Sequence, residues 1–480
     1  MTEHTHSTSP EIGSTTGSIP QLRAGLNGGV ITPDDTGYDE ARRVFYGSID
    51  RHPALIVRAR DASDVSRVVA LARESNLELA VRSGGHSLAG YGTTDGGVLL
   101  DLSEMKNLEI DVGGRTAWAQ TGLTAGEYTT ATGAHGLATG FGDTGSVGIG
   151  GITLGGGVGY LVRKHGLTID DVLAAEIVTA DGRLLRVDAE THPDLFWAIR
   201  GGGGNFGVVT RFHYRLHEVG TIVGGMLVLP ATPEVIASFV EEADAAPEGL
   251  STIANVMKAP PMPFLPAEAH GELIIMGLLC YAGEVEAGER AIAPFRTLAK
   301  PLADTIAPKR YPEMYEPTGP GPDEEAARSL FIDSFDGRTA ETIVERLRAS
   351  SAPLAVAQIR VLGGAMARVP AEATAFAHRG RRIMVALGAV YEHREEEAVH
   401  ERWVTDFAAA LDQGGAGVYV NFLGAEGEGR VREAYPGPIW HRLAEIKGRY
   451  DPTNLFRLNQ NIPPANGGRK SGREEIAEKK

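Results

Sequence analysis

Three glycine-rich runs constrain this chain more than any other feature. They span residues 84–97, 140–159 and 201–207, and each adjoins a strand-like apolar segment in the first half of the sequence. Glycine has no Cβ, so such runs let backbone N–H groups turn towards an anion at close range. Glycines spread evenly would suggest a floppy chain; gathered in this way, they suggest loops converging on one long phosphate-bearing ligand. In the first run the apolar Leu79-Ala80-Val81 leads into Arg82-Ser83-Gly84-Gly85-His86-Ser87. That order sets His86 against whatever the phosphates belong to. No run has the G-x-G-x-x-G of a dinucleotide fold in strand-to-helix context, and no P-loop lysine follows.

Composition narrows the function classes. The chain has 480 residues, 42 % hydrophobic and 22 % charged, as expected of a soluble globular protein of two or three domains. Its net charge of -16 argues against nucleic acid, whose phosphates need clustered Lys and Arg. No apolar run reaches the roughly 18–20 residues of a membrane span. The start lacks the apolar middle of a secretory signal and is polar, so residues 1–20 are expected to form a disordered tail in a cytoplasmic protein. Cys280 stands alone, which forbids an internal disulfide or a multi-cysteine metal site. His4 and His6 have no companions at ligand spacing, so no metal is expected.

Periodicity predicts an α+β organisation. Strand-like Leu55 to Val57 leads to Asp61 as an N-cap, and Val65, Val68, Val69 and Ala72 then mark one helix face. Strands follow at Val98 to Leu102, Leu108 to Asp111, Thr116 to Ala119, Val172 to Thr179 and Leu184 to Val187, with Asp181-Gly182 turning the last pair. Beyond Thr221 the texture changes. Strands Gly224 to Leu229, Thr252 to Lys258, Leu273 to Tyr281, Leu354 to Leu362 and Ile383 to Tyr391 alternate with amphipathic helices near 233–244, 285–298, 339–349 and 395–411. This predicts one large, antiparallel sheet flanked by helices.

The segments Arg82 to Gly92, Asp101 to Met105 (DLSEM), Gly142 to Leu167, Phe196 to Thr210 and Tyr450 to Ile462 together resemble the berberine bridge enzyme-like flavoprotein oxidases of the vanillyl-alcohol-oxidase superfamily. The motifs run in order over nearly the whole chain. The resemblance implies an FAD-binding domain in two segments, 21–219 and 419–465, around a substrate domain at 220–418, with a polar tail at 466–480.

It also implies roles. His86 falls on the histidine that in this family is bonded to the flavin 8α-methyl, and Arg82, Ser83, Gly84, Gly85 and Ser87 surround the diphosphate. Relatives with a second covalent link carry a cysteine where this chain has Thr144, so a flavin linked through His86 only is expected. Val147 corresponds to the position beside flavin C4a where valine accompanies oxygen access. Gly148, Gly150, Gly151 and Gly155 line the isoalloxazine and ribityl side, Gly207 and Val209 approach the adenine end, and Asn459 and Gln460 close over the flavin.

Tyr419 and Asn421 form the family's Y-x-N pattern and are the acid–base candidates, provided a cation or the flavin lowers the tyrosine pKa. The strand position where plant relatives carry Glu or Gln aligns with Leu387. Tyr160, Gln358, Arg360 and Tyr391 fall near the pocket walls, each open to a structural or a substrate-binding role. Met262, Phe264 and Leu265 suggest an apolar pocket. The expected reaction is oxidation of a C–H beside OH or N of a small or medium, aromatic, alkaloid-like or polyketide-like substrate, with dioxygen reduced to hydrogen peroxide. A dehydrogenase using another acceptor, or an oxidase of sugars or alcohols, is the alternative. Oligomeric state is not legible.

Overall fold

A computed structural model describes residues 19–315, 319–415 and 417–465. The expected tails fall mostly outside it: residues 1–18, with His4 and His6, and 466–480 lie beyond the described residues.

The first sheet is built from β1 (Gly29–Ile31), β2 (Leu55–Arg58), β3 (Leu79–Arg82) and β4 (Val98–Asp101), in the order β1-β2-β4-β3. β4 pairs in parallel with both β2 and β3, and β1 adds antiparallel at the edge. Asp61 caps the helix Ala62–Glu74 by accepting from the N–H groups of Ser63 and Asp64, and that helix buries Val65, Val68, Val69 and Ala72. The parallel arrangement explains why β2, β3 and β4 are short and apolar up to their last residues, Arg58, Arg82 and Asp101: helix and neighbouring loops cover them.

The second sheet draws on β5 (Leu108–Asp111), β6 (Thr116–Gln120), β8 (Val172–Val178), β9 (Leu184–Asp188) and β10 (Val208–Arg215), ordered β5-β6-β10-β8-β9 and antiparallel throughout. Two short strands, β7 (Leu137–Ala138) and β11 (His217–Glu218), pair separately. Gly182 takes φ +82 in the β8–β9 turn, the left-handed geometry that Asp-Gly favours.

The third sheet has eight strands: β12 (Thr221–Pro230), β13 (Leu250–Lys258), β14 (Leu273–Tyr281), β15 (Ala303–Asp304), β16 (Ala307–Arg310), β17 (Glu324–Ile332), β18 (Leu354–Val361) and β19 (Ile383–Tyr391). Its order is β15-β12-β14-β13-β18-β19-β17, with β16 also on β12, and all pairs are antiparallel. β17 is absent from the sequence-based expectation, whereas β14 and β19 match it end to end. Alternation gives the sheet two faces. One packs Ala355, Ala357, Ile359, Val385, Leu387 and Ala389 against helices Pro233–Ala245, Val285–Thr297, Gly337–Ala349 and Glu397–Leu411. The other looks towards the glycine loops.

The returning C-terminal segment is held by a buried ion pair. Lys447 Nζ lies 2.6 Å from Asp451 Oδ2 and also donates to the carbonyls of Asn205 and Phe456. Asp451 in turn accepts from the backbone N–H of Leu455 and Phe456, fixing the chain as it turns back over the third glycine run.

Candidate functional site

The two glycine loops that follow β3 and precede helix Ile149–Gly155 touch backbone to backbone. A Cβ on Gly84 would lie 2.2 Å from Gly148 N, and one on Gly148 would lie 2.2 Å from Ser83 Oγ. No side chain fits there, which is the physical reason for glycine at both positions. Ser83 Oγ donates to the Thr121 carbonyl at 2.5 Å and accepts from Gly150 N–H at 3.3 Å, stitching the first and second runs together.

Beside this contact opens a cavity of about 590 Å³. It runs from Gly203, Gly207, Val208 and Val209, past Ser83 to Ser87 and Val147 to Gly151, to the open face of the eight-stranded sheet at Val356, Gln358 and Arg360. Its size and elongated, mostly apolar wall suit a cofactor-sized ligand. One buried acceptor in this lining, Asn459 Oδ1, has no partner among the described residues. Glycine-lined at one end, with a polar and titratable wall at the other, it fits FAD: phosphates against the loops and the reactive ring against the sheet.

His86 lines the cavity. Its Nε2 hydrogen-bonds Ser146 Oγ at 3.0 Å, and its ring stacks on Phe45 with centroids 4.0 Å apart. Burial holds the imidazole pKa down to about 4, against the Ser146 contact, so the ring is neutral. Ser87, Thr144, Gly148, Gly150, Gly151, Gly207, Val209, Asn459 and Gln460 all line the same space. Gln460 is held in place by donating to the carbonyls of Leu423 and Gly424.

Tyr419 and Asn421 stand together on the cavity wall. The N–H groups of Gly157 (2.8 Å) and Val158 (3.3 Å) and Asn421 Nδ2 (2.8 Å) all donate to the Tyr419 hydroxyl oxygen. Burial nevertheless raises the phenol pKa, outweighing those donors and the nearby Arg360. Tyr419 therefore keeps its proton at neutral pH, against the expectation of a lowered phenol pKa. On the sheet, Arg360 donates to Asp143 Oδ2 at 2.7 Å and to Gln358 Oε1, and Gln358 donates to Asn255 Oδ1.

Several expected placements need correction. Tyr391 lies on the opposite face of the sheet, buried against the helices and stacked on His400, because it shares the parity of Leu387 and Ala389. Tyr160 is one layer back, edge-on to Tyr315 and outside the lining. Gly155 also lies behind the wall: a Cβ there would sit 1.9 Å from Asn421 Oδ1, so this glycine makes room for the Asn421 carboxamide. Arg82 reaches the lining, but its guanidinium is spent on Asp101 (2.8 Å) and on the carbonyls of Ala41 and Arg43, leaving it no reach for a phosphate. Met262 and Leu265 pack with Met257 and Ile274, and Phe264 is 49 % exposed, so that loop does not form the pocket. Leu387 turns its side chain into the helix-side core, and its cavity-facing neighbours are Ala386 and Gly388.

Among the wall residues that escape the sequence reading are Tyr46 and Glu325. Tyr46 comes from the segment before β2, and Glu325 from the unforeseen β17. Glu325 has no ion pair or hydrogen bond among the described residues, and desolvation alone pushes its carboxyl pKa up to about 7. Only the pairing of β17 with β19 brings it to the cavity, so no local motif announces it.

Among the described residues, no group of three or more His, Cys, Asp and Glu could hold a metal ion, and no helix is long and apolar enough to cross a membrane.

Comparison with known proteins agrees with this geometry. Residues 53–188 match the family model described as an FAD binding domain, and residues 418–463 match the one described as berberine and berberine like. The chain is 32 % identical over 452 residues to (R)-6-hydroxynicotine oxidase of Paenarthrobacter nicotinovorans, covering 92 % of this chain and 97 % of that protein. It is also 32 % identical over 454 residues to the uncharacterized FAD-linked oxidoreductase YvdP of Bacillus subtilis, covering 92 % and 99 %. Among solved structures, 6-hydroxy-D-nicotine oxidase from Arthrobacter nicotinovorans superposes with a TM-score of 0.81 at 29 % identity, covering 92 % of this chain and 98 % of that one. The chain belongs to the berberine bridge enzyme-like family of FAD-linked oxidoreductases.

Proposed function

We propose that this protein is a cytoplasmic oxidase whose FAD is bonded through His86 alone. Its substrate is a small or medium aromatic, alkaloid-like or polyketide-like molecule, oxidised at a C–H beside OH or N, with dioxygen as the second substrate and hydrogen peroxide as product. The observation that carries the reading is His86. Its imidazole is neutral and therefore nucleophilic, Ser146 engages Nε2, and Nδ1 has no hydrogen-bond partner among the described residues. Thr144, at the position of a second link, has no thiol, and Cys280 is buried in β14 outside the cavity lining. Both support a single bond.

FAD, when bound, accepts the electron pair of the breaking C–H bond and delivers two electrons to dioxygen. The residues of this chain do the rest. Ser83, Gly84 and Gly148 would hold the diphosphate at the loop contact, and Asn459 Oδ1 is free to accept from a ring N–H. Tyr419, kept protonated and fixed by three N–H donors, orients the polar end of the substrate. Val147 in the lining supports access of oxygen to the reacting face.

Two measurements test the reading. In acid-denatured protein the yellow colour should stay with the polypeptide, and His86→Ala should release it. A panel of alcohols, amines and phenols should yield peroxide; rapid bleaching followed by slow recovery in air would instead indicate a dehydrogenase with another acceptor.

A further inference from the structure

Resting on that reading, we propose that Glu325 is the catalytic base of this site, taking the proton of the substrate O–H or N–H as the adjacent C–H bond breaks. The argument is geometric. In β17, Glu325, Ala327 and Ser329 face the cavity, while Ala326, Leu330 and Ile332 pack on the helix side. Across the strand pair, β19 presents Ala386 and Gly388 to the same space. A Cβ built on Gly388 would lie 3.3 Å from Glu325 Oε1. The missing side chain on β19 thus leaves the volume into which the carboxyl of β17 reaches, and a larger residue would press against it.

Among the described residues, every other charge around this carboxyl is already matched. Arg360 is neutralised by Asp143, and Arg328 points away to Glu401 and Glu426. Glu324, next in sequence, acts on Tyr391 at the other face. From the segment packed against the strand end comes Tyr46, whose phenol burial raises and which stays neutral. A structural acid so enclosed would have a cation or N–H donors; an unpartnered one marks a group kept for exchange. Its position near neutrality lets it accept a proton and return it within one turnover. With no unpaired cation on the wall among the described residues, the site also disfavours carboxylate or phosphate substrates and admits neutral or cationic ones.

The step balances. The C–H bond breaks with its electron pair passing to FAD, the O–H or N–H proton passes to Glu325, and the C=O or C=N bond forms. The carboxyl then yields its proton towards the peroxide product or water.

The test uses holoenzyme of the wild type, E325Q and E325D. Infrared titration should show a carboxyl C=O band vanishing with a midpoint near 7, absent in E325Q. With a substrate from the peroxide panel, kcat/KM of E325Q should fall by about 10²–10⁴-fold and lose its acid limb, with flavin content unchanged. E325D should keep that limb. Absence of a carboxyl titrating in this range overturns the proposal. An active panel whose E325Q profile retains the acid limb refutes Glu325 alone, whereas a panel releasing no peroxide counts against the oxidase reading and the base with it.

Discussion

Arg360 Nη2 lies 2.7 Å from Asp143 Oδ2, and the guanidinium is 5 % exposed while the carboxylate is 20 % exposed. One residue belongs to β18 of the large sheet and the other to the second glycine run. The pair therefore clamps the large sheet onto the second glycine loop, directly before Thr144. Arg360 also sits over the Phe422 ring at 5.5 Å, adding a contact from the C-terminal segment.

Arg360→Ala should leave Asp143 as an uncompensated, largely buried charge. Chemical denaturation should report a loss of about 3 kcal/mol, the lower end of what breaking a buried pair costs, because Asp143 retains some solvent. Asp143→Asn, which keeps a hydrogen-bond acceptor, should cost less. Equal losses would mean that charge is not what matters at this junction.

The Lys447–Asp451 pair has no exposure on either side chain. Lys447→Met leaves Asp451 charged among groups that cannot solvate it, so a loss of about 3–5 kcal/mol is expected. Because Asp451 also holds the Leu455 and Phe456 N–H groups, Asp451→Ala should further loosen the segment carrying Asn459 and Gln460 and lower the flavin incorporated per polypeptide, read from the absorbance ratio of the purified protein. Flavin content equal to wild type would show that this turn does not shape the cavity wall around Asn459 and Gln460.

Gly155→Ala should act on the site from behind. Its methyl would fall within 1.9 Å of Asn421 Oδ1, displacing the carboxamide that donates to the Ile152 carbonyl and to Tyr419. Turnover should fall while the helical circular dichroism stays close to wild type, since one alanine at a helix end is otherwise benign. Unchanged turnover would remove Asn421 from the set of residues that fix Tyr419.

Stability should fall with acid. Burial pushes the His378 imidazole down to about 4 and that of His165 to about 3, so between these values and the ordinary 6.5 the unfolded chain binds more protons. Stability linked to them is present above 6.5 and is lost as pH drops through the folded values. Glu325 has the opposite sign: its raised pKa favours the fold below 4.5, a contribution lost as pH rises through about 7. Two imidazoles outweigh one carboxyl, so Tm at pH 5 should lie below Tm at pH 7, and His378→Gln should narrow the difference. A Tm that rises on acidification would contradict the assignment.

Much of the cofactor half is legible from sequence because its signals are local. Glycine is required where Gly84 and Gly148 meet, Asp61 caps its helix through groups two and three residues on, and Asp181-Gly182 turns a hairpin. The helices and strands of the large sheet announce themselves by period. β17 does not: Glu-Glu-Ala-Ala-Arg favours a helix, and only pairing along β19 makes it a strand. Tyr391 was misplaced for a related reason. Its spacing fits a strand, but which face it joins depends on register, and one residue of shift exchanges cavity for core.

Residue chemistry alone thus singled out the glycine loops and His86, which the fold brings together around one cavity. The tertiary structure decided which charges there are spent and which are free: Arg82 and Arg360 are consumed by Asp101 and Asp143, and Glu325 has no ion pair among the described residues. The physical reason is range. A glycine's steric freedom is a property of its own backbone, whereas a carboxyl's proton affinity belongs to whatever distant strands bring, or fail to bring, within reach of it.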